Sequence, residues 1–253
     1  MLLSRLRLVT FDVTDTLLKF KLSPGQQYGE IGALYGITCD RKELSKNFKK
    51  QWHKMNLVHP NFGCHTGLGW EKWWKMIVIE TFKDTKVNVE DKKLNEIACH
   101  LIDLYKISDC WKVCEGVNGL LSYIRSKRVP MGIISNFDPR LTTTLTNIKL
   151  RHYFNFILTS YEAGFEKPDE KIFLQAMNSS KLKQLKPGEC LHVGDQISLD
   201  YNGAKNSGWN AILINNTQEQ CPNIDPTHVF DSLFGLHKHF VQTSSEKLVS
   251  HTL

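Results

Sequence analysis

No apolar run in the sequence approaches the ~18 residues of a membrane span, so no membrane partner is expected. Only 8 prolines and 16 glycines occur in 253 residues, with no low-complexity tract or internal repeat, which excludes a disordered or fibrous chain. Neither sign of charge dominates. The 32 lysines and arginines exceed the 26 aspartates and glutamates by six, and the excess is spread along the chain. Without a basic block, nucleic acid is not expected as a partner, and the run Lys42–Lys54 reads as the wet side of a helix. The 7 cysteines are odd in number and irregularly spaced. Cys110 and Cys114 could share a helix face, but no second pair matches them as zinc ligands, so free thiols in a reducing compartment are expected. Too few apolar residues precede Asp12 for a signal peptide. An intracellular protein is expected, in cytoplasm or nucleus, with the mitochondrion left open. What the sequence does contain is 41% apolar and 23% charged residues, enough for a packed core in one or two domains.

Short apolar runs punctuate the chain at strand length: Leu6–Asp12, Pro130–Ser135, Phe156–Ser160, Cys190–Gly194, Ala211–Ile214 and the shorter His228–Phe230. Helical patterns lie between and after them, over Gly116–Lys127, Pro139–Asn147, Asp169–Ser180, Asp200–Ser207 and Leu233–Phe240. Such alternation predicts βαβ units and a buried parallel sheet, an α/β fold with a Rossmann-like core. Residues 20–112 break the rhythm. They offer no comparable strand and read as several helices, with Trp70, Trp73 and Trp74 on one helix face, most simply as packing. The expected organisation is a discontinuous core over 1–19 and 113–240, a helical domain over 20–112 and a flexible tail over 241–253.

Open α/β sheets place ligands beyond the carboxyl ends of their strands. There the sequence puts Asp12, Ser135 and the Gly194-Asp195 pair, with Lys167-Pro168 in the loop after the third strand and Asp200 opening the helix after the fourth. Phosphoryl transfer through an aspartyl phosphate needs this set. Asp12 attacks phosphorus, a role carboxylates take in covalent mechanisms. The dianionic group then needs positive charge, from Mg²⁺ held by Asp12, Asp195 and Asp200, and from Lys167. The Ser135 hydroxyl holds phosphoryl oxygens. His192 reads as a packed strand residue.

The segments FDVTDTLL, IISNFD, EKPDEKIF and HVGDQISLD, in that order across residues 6–215, resemble the four motifs of the haloacid dehalogenase-like hydrolases. The resemblance implies a Rossmann-like core, a cap inserted after the first motif and Mg²⁺ as cofactor; it supplies no substrate, and a small phosphorylated molecule is expected from the phosphoryl-transfer chemistry of the site. It makes Asp12 and Lys167 catalytic and places Ser135, Asn136 and Thr16 against the substrate. It also adds the backbone carbonyl of Thr14 to Asp12, Asp195 and Asp200 around the metal.

One departure bears on activity. Phosphatases of this family usually read Asp-x-Asp-Gly-Thr, whereas this chain reads Asp12-Val13-Thr14-Asp15-Thr16. The second Asp is the family's general acid and base, and threonine cannot shuttle a proton near neutral pH. Asp15 takes the usual glycine position, which demands tolerance of a left-handed backbone, and could swing in to replace the missing acid. Two alternatives therefore stand beside the hydrolase. One is a catalytically weak binding or regulatory protein on the same fold. The other is a 2-haloacid dehalogenase, which needs no metal and whose carboxylate substrate Asp195 and Asp200 would repel.

Overall fold

The computed structural model describes residues 3–85, 87–215 and 220–250, the last six of these by their backbone alone. The strands, in chain order, are β1 (Leu8–Phe11), β2 (Leu18–Phe20), β3 (Trp111–Val113), β4 (Met131–Ser135), β5 (Phe156–Thr159), β6 (Cys190–Gly194), β7 (Asn210–Ile214) and β8 (Val229–Phe230). The helices of the amino-terminal half are α1 (Pro24–Leu34), α2 (Arg41–Val58), α3 (Trp70–Lys83), α4 (Asp91–Leu104) and α5 (Val117–Ser126). After them come α6 (Leu141–Asn147), α7 (Ser160–Ala163), α8 (Glu170–Ser179), α9 (Gly203–Asn206) and α10 (Leu233–Ser250).

By their contacts the residues fall into two compact units. The first comprises Met1–Lys19, Val113–Asn136 and Leu150–Leu253 and is built on a six-stranded sheet ordered β5-β4-β1-β6-β7-β8. Every pairing in that sheet is parallel. Parallel sheets are covered on both faces, so their inner strands are apolar throughout rather than alternating. Each residue of β1, β4 and β6 is buried accordingly. One side of the sheet packs Ile172, Phe173 and Ala176 of α8 with Tyr201 and Trp209 into a continuous core. The chain runs outward from β1 through β4 to β5, then returns to the far side of β1 as β6 and continues to β7 and β8. The strand order thus reverses between β1 and β6, and their carboxyl ends open the crevice where such sheets bind ligands.

The second unit comprises Phe20–Lys112 and Phe137–Lys149. It packs α1 to α4 around Tyr28, Leu44, Val78, Phe82, Leu94 and Leu101. Ser23 opens α1 with a capping box, its side chain taking the Gln26 amide while the Gln26 side chain takes its own. Trp73 is fully buried and donates its indole N–H to His59 O at 2.9 Å.

The structure corrects several expectations. Residues 137–149 were expected within the core, yet they cluster with the second unit. A buried ion pair explains this: Asp138 takes the Arg140 guanidinium at 2.8 and 2.7 Å and the Trp74 indole N–H at 2.8 Å. The guanidinium lies 5.2 and 5.0 Å from the ring centres of Trp70 and Trp74, so two tryptophans of the expected packing trio flank a cation. Two strands of three residues, β2 and β3, bound the stretch read as strand-free, and they pair with each other. Helix α10 continues to Ser250 instead of ending at Phe240. Cys110 ends a 3-10 turn and Cys114 follows β3, so they share no helix. Among the described residues no helix is long and apolar enough to cross a membrane.

Candidate active site

The carboxyl ends of β1, β4 and β6 bring most of the expected residues together within the first unit. Asp12 follows β1 directly and extends the parallel ladder, its N–H donating to Val193 O at 2.9 Å. The loop beyond is turned by Asp15, whose φ of 60° is left-handed and whose N–H donates to Leu18 O at 2.7 Å. Fully buried Val13, Leu17 and Leu18 anchor that loop beneath. Asp15 itself is exposed.

Lys167 reaches into this site from the loop after α7 and is 2% exposed. Its ammonium donates to Asp12 Oδ1 at 2.7 Å, Asp200 Oδ1 at 2.6 Å and Ile134 O at 2.9 Å, which uses all three protons. The Lys167 main chain is clamped by Asn136, whose Oδ1 accepts from Lys167 N at 2.7 Å while its Nδ2 donates to Lys167 O at 2.9 Å. One donor and one acceptor direction of the amide read as a substrate contact thus hold the main chain of the lysine. Ser135 is buried at the carboxyl end of β4, where its hydroxyl favours the charged form of the Asp12 carboxyl. Thr16, also read as a substrate contact, donates its hydroxyl to Asp195 Oδ1 at 3.2 Å. Thr14 makes a β-bridge with Leu18.

Asp200 sits within a π-turn over Ile197–Asn202, not at a helix start as its sequence context predicted. The turn folds its side chain back over β6, where its Oδ2 accepts from Gln196 N at 2.9 Å. Gly194 permits that approach: a Cβ there would lie 2.2 Å from Asp200 Cγ. The structure also recruits a residue assigned only to packing. His192, fully buried in β6, places Nε2 3.1 Å from Asp200 Oδ1 and Nδ1 2.9 Å from Thr10 Oγ1. A histidine in an otherwise apolar strand, cross-strand from a threonine, was the available signal.

A family model for the haloacid dehalogenase-like hydrolases matches residues 6–208. The chain belongs to that family. It is 48% identical over 248 residues to the rhythmically expressed gene 2 protein of Drosophila melanogaster, covering 93% of this chain and 95% of that protein. It is 33% identical over 210 residues to the bovine haloacid dehalogenase-like hydrolase domain-containing protein 3, covering 83% and 82% of the two chains. Among solved structures, YfnB of Bacillus subtilis bound to magnesium has the same fold, with a TM-score of 0.72 at 18% identity, covering 93% of this chain and 99% of that one.

In this family member the acidic residues at the site outnumber the basic one. Asp12, Asp195 and Asp200 each offer an oxygen within 4.8 Å of the others. Lys167 neutralises one of the three, which leaves two negative charges in a largely buried cluster. Burial first, then the charges of Asp12, Asp200 and Asp15, push the Asp195 carboxyl up to about 7. Burial also raises Asp12, to about 6, against the pull of Lys167 and with the push of Asp200. Burial acts on Asp200 in the same direction, but Lys167 and the His192 hydrogen bond outweigh it and hold its carboxyl well below the usual range. Lys167 stays charged, because Asp12 and Asp200 outweigh its desolvation. The donors are all hard oxygens and the uncompensated charge is two, which fits a hard divalent cation.

A pH dependence follows for the metal-free protein. Asp12 and Asp195 hold their protons to about 6 and about 7 when folded, whereas an unfolded aspartate loses its proton near pH ~4. Between these values the folded state binds more protons than the unfolded one, so stability falls as pH rises. The thermal midpoint in EDTA is expected to drop from pH 4.5 to pH 7.5. Saturating divalent cation at pH 7.5 should restore it, with proton release on binding, read by calorimetry in buffers of different ionisation enthalpy.

Proposed function

We propose that this protein is a magnesium-dependent phosphohydrolase that passes the phosphoryl group of a small substrate through an aspartyl phosphate at Asp12. The observation that carries this reading is the buried Asp12–Lys167–Asp200 chain beside Asp195, with two negative charges left uncompensated. The magnesium bound to the Bacillus subtilis structural neighbour supports the choice of cation.

Each residue then has a task. Lys167 holds one oxygen of Asp12, which directs the other at phosphorus and keeps the nucleophile ionised. The Ser135 hydroxyl, buried at the end of β4, donates to a phosphoryl oxygen as charge develops there. Asp12, Asp195, Asp200 and the Thr14 carbonyl would hold magnesium, which would supply two positive charges to the phosphoryl oxygens. Attack forms the Asp12–phosphorus bond and expels the leaving oxygen, and water then hydrolyses the acyl phosphate. Without a carboxyl at position 14 both proton transfers lack their usual catalyst, so turnover is slow. The helical second unit, inserted in the sequence after β1, corresponds to the cap of this family.

Thr14 also favours a second reading, a binding or regulatory protein that retains the site and turns over little. One assay separates the readings. Phosphate monoesters of varied leaving group are incubated with Mg²⁺ or with EDTA. Turnover in Mg²⁺ and none in EDTA is the expected result. Halide release from 2-haloacids in EDTA, without ester hydrolysis, would replace the proposal with dehalogenation.

A further inference from the structure

Asp200 is the best-held carboxylate of the cluster, and one of its three donors comes from a strand interior. Oδ1 receives both the Lys167 ammonium at 2.6 Å and His192 Nε2 at 3.1 Å, while Oδ2 receives Gln196 N at 2.9 Å. An sp² carboxylate oxygen has two lone-pair directions. Oδ1 is thereby filled, and a single direction remains on Oδ2. The carboxylate can neither rotate nor offer a second oxygen without breaking a buried contact.

His192 is built for this one contact. It is fully buried, its ring lies edge-on to Phe173 at 5.5 Å between centres, and its other nitrogen meets the Thr10 hydroxyl across the β1–β6 pairing. The Asp200 carboxylate only accepts, so Nε2 carries a proton, and in the neutral imidazole Nδ1 then accepts from Thr10. The Thr10 hydroxyl lies 3.3 Å from Leu191 O as well, and the ring nitrogen is the nearer of its two acceptors at 2.9 Å.

We propose that Thr10 and His192 form a positioning relay that locks Asp200 with its one unfilled lone pair toward the divalent cation. Neither residue touches substrate. Both act through Asp200, and the inference rests on the magnesium reading above. A ligand carboxylate that is oriented by a buried imidazole binds metal more tightly because it loses no rotational freedom on binding. Loss of such an outer partner typically weakens metal binding by ~10–100-fold.

The test is Mg²⁺ binding by calorimetry on the full chain, without substrate, alongside the thermal midpoint in EDTA and ¹⁵N spectra of the imidazole. His192→Phe keeps an aromatic ring, larger than imidazole, and removes both nitrogens. It should weaken Mg²⁺ ~10–100-fold, and its larger ring should lower the midpoint in EDTA as well. His192→Gln, which retains an N–H at the distance of Nε2, should recover most of the affinity. Thr10→Val should give a smaller loss in the same direction, and the wild-type spectra should show the Nε2–H tautomer. A purely structural role would lower the midpoint and leave affinity alone. Wild-type affinity in His192→Phe, or an Nδ1–H imidazole in the wild type, overturns the relay. Wild-type protein that takes no Mg²⁺ overturns the proposed function itself, and the relay with it.

Discussion

Asp12→Asn is expected to lower phosphate-ester turnover by at least ~10³-fold while leaving the metal-free protein as stable as before, or more so. The substitution keeps the shape and the oxygen that accepts from Lys167 Nζ at 2.7 Å. It removes the negative charge and the attacking electron pair. A neutral group suits the site without metal, because burial already pushes the Asp12 carboxyl up to about 6 and so favours its uncharged form. Asparagine also removes one of the charges that raise Asp195 toward 7. Stability and activity should therefore move in opposite directions at pH 7.5, with a thermal midpoint in EDTA equal to or above wild type. Lys167 retains Asp200 at 2.6 Å and stays charged, so the variant does not strand a buried ammonium. A kcat within tenfold of wild type would show that Asp12 is not the nucleophile. A collapse of both activity and fold would mean that the carboxylate is structural.

Those residues that stand at strand ends were legible because a doubly covered parallel strand must be apolar throughout, so the polar residue that ends it stands out. Asp12, Ser135 and Asp195 were found in that way, and the structure brings their elements to one rim. The left-handed turn at Asp15 was legible from its place in the loop, and its φ is 60°. Other features depend on partners distant in sequence. The clamp that Asn136 makes on the main chain of Lys167, 31 residues away, has no trace in the sequence. Arg140 reads as part of a core helix over Pro139–Asn147, but the tryptophans of α3 hold it and Asp138 in the second unit together with α6. β2 and β3 are too short for alternation to register, and their pairing joins residues some ninety positions apart. Histidine at position 192 carries no periodic signal, because period two says only that it faces the same side as Cys190 and Gly194.

Thr14→Asp is expected to raise kcat for phosphate esters by ~10²–10⁴-fold, the usual contribution of a positioned general acid and base. The surroundings at position 14 suit a carboxyl. The Thr14–Leu18 bridge and the left-handed Asp15 belong to the backbone, so they hold the loop whatever the side chain. A carboxyl at this half-buried position, two residues from Asp12 in the same loop, meets like charge and partial burial, and both raise its pKa from the ordinary carboxylate value toward neutrality. That is the range in which an acid gives up and regains a proton at pH 7. The gain should bring a new ionisation to the pH profile of kcat, with activity falling at high pH as the acid form is lost. It should also lower the midpoint in EDTA, since one more negative charge enters a cluster that Lys167 alone offsets. Asp15→Asn is the companion: Asp15 is exposed and turned by its own backbone, so turnover in the wild type should not depend on it. A large gain from Thr14→Asp with Asp15→Asn silent identifies a complete site that lacks one proton carrier. No gain from Thr14→Asp, in a protein that also binds no Mg²⁺, assigns the fold to binding instead of turnover.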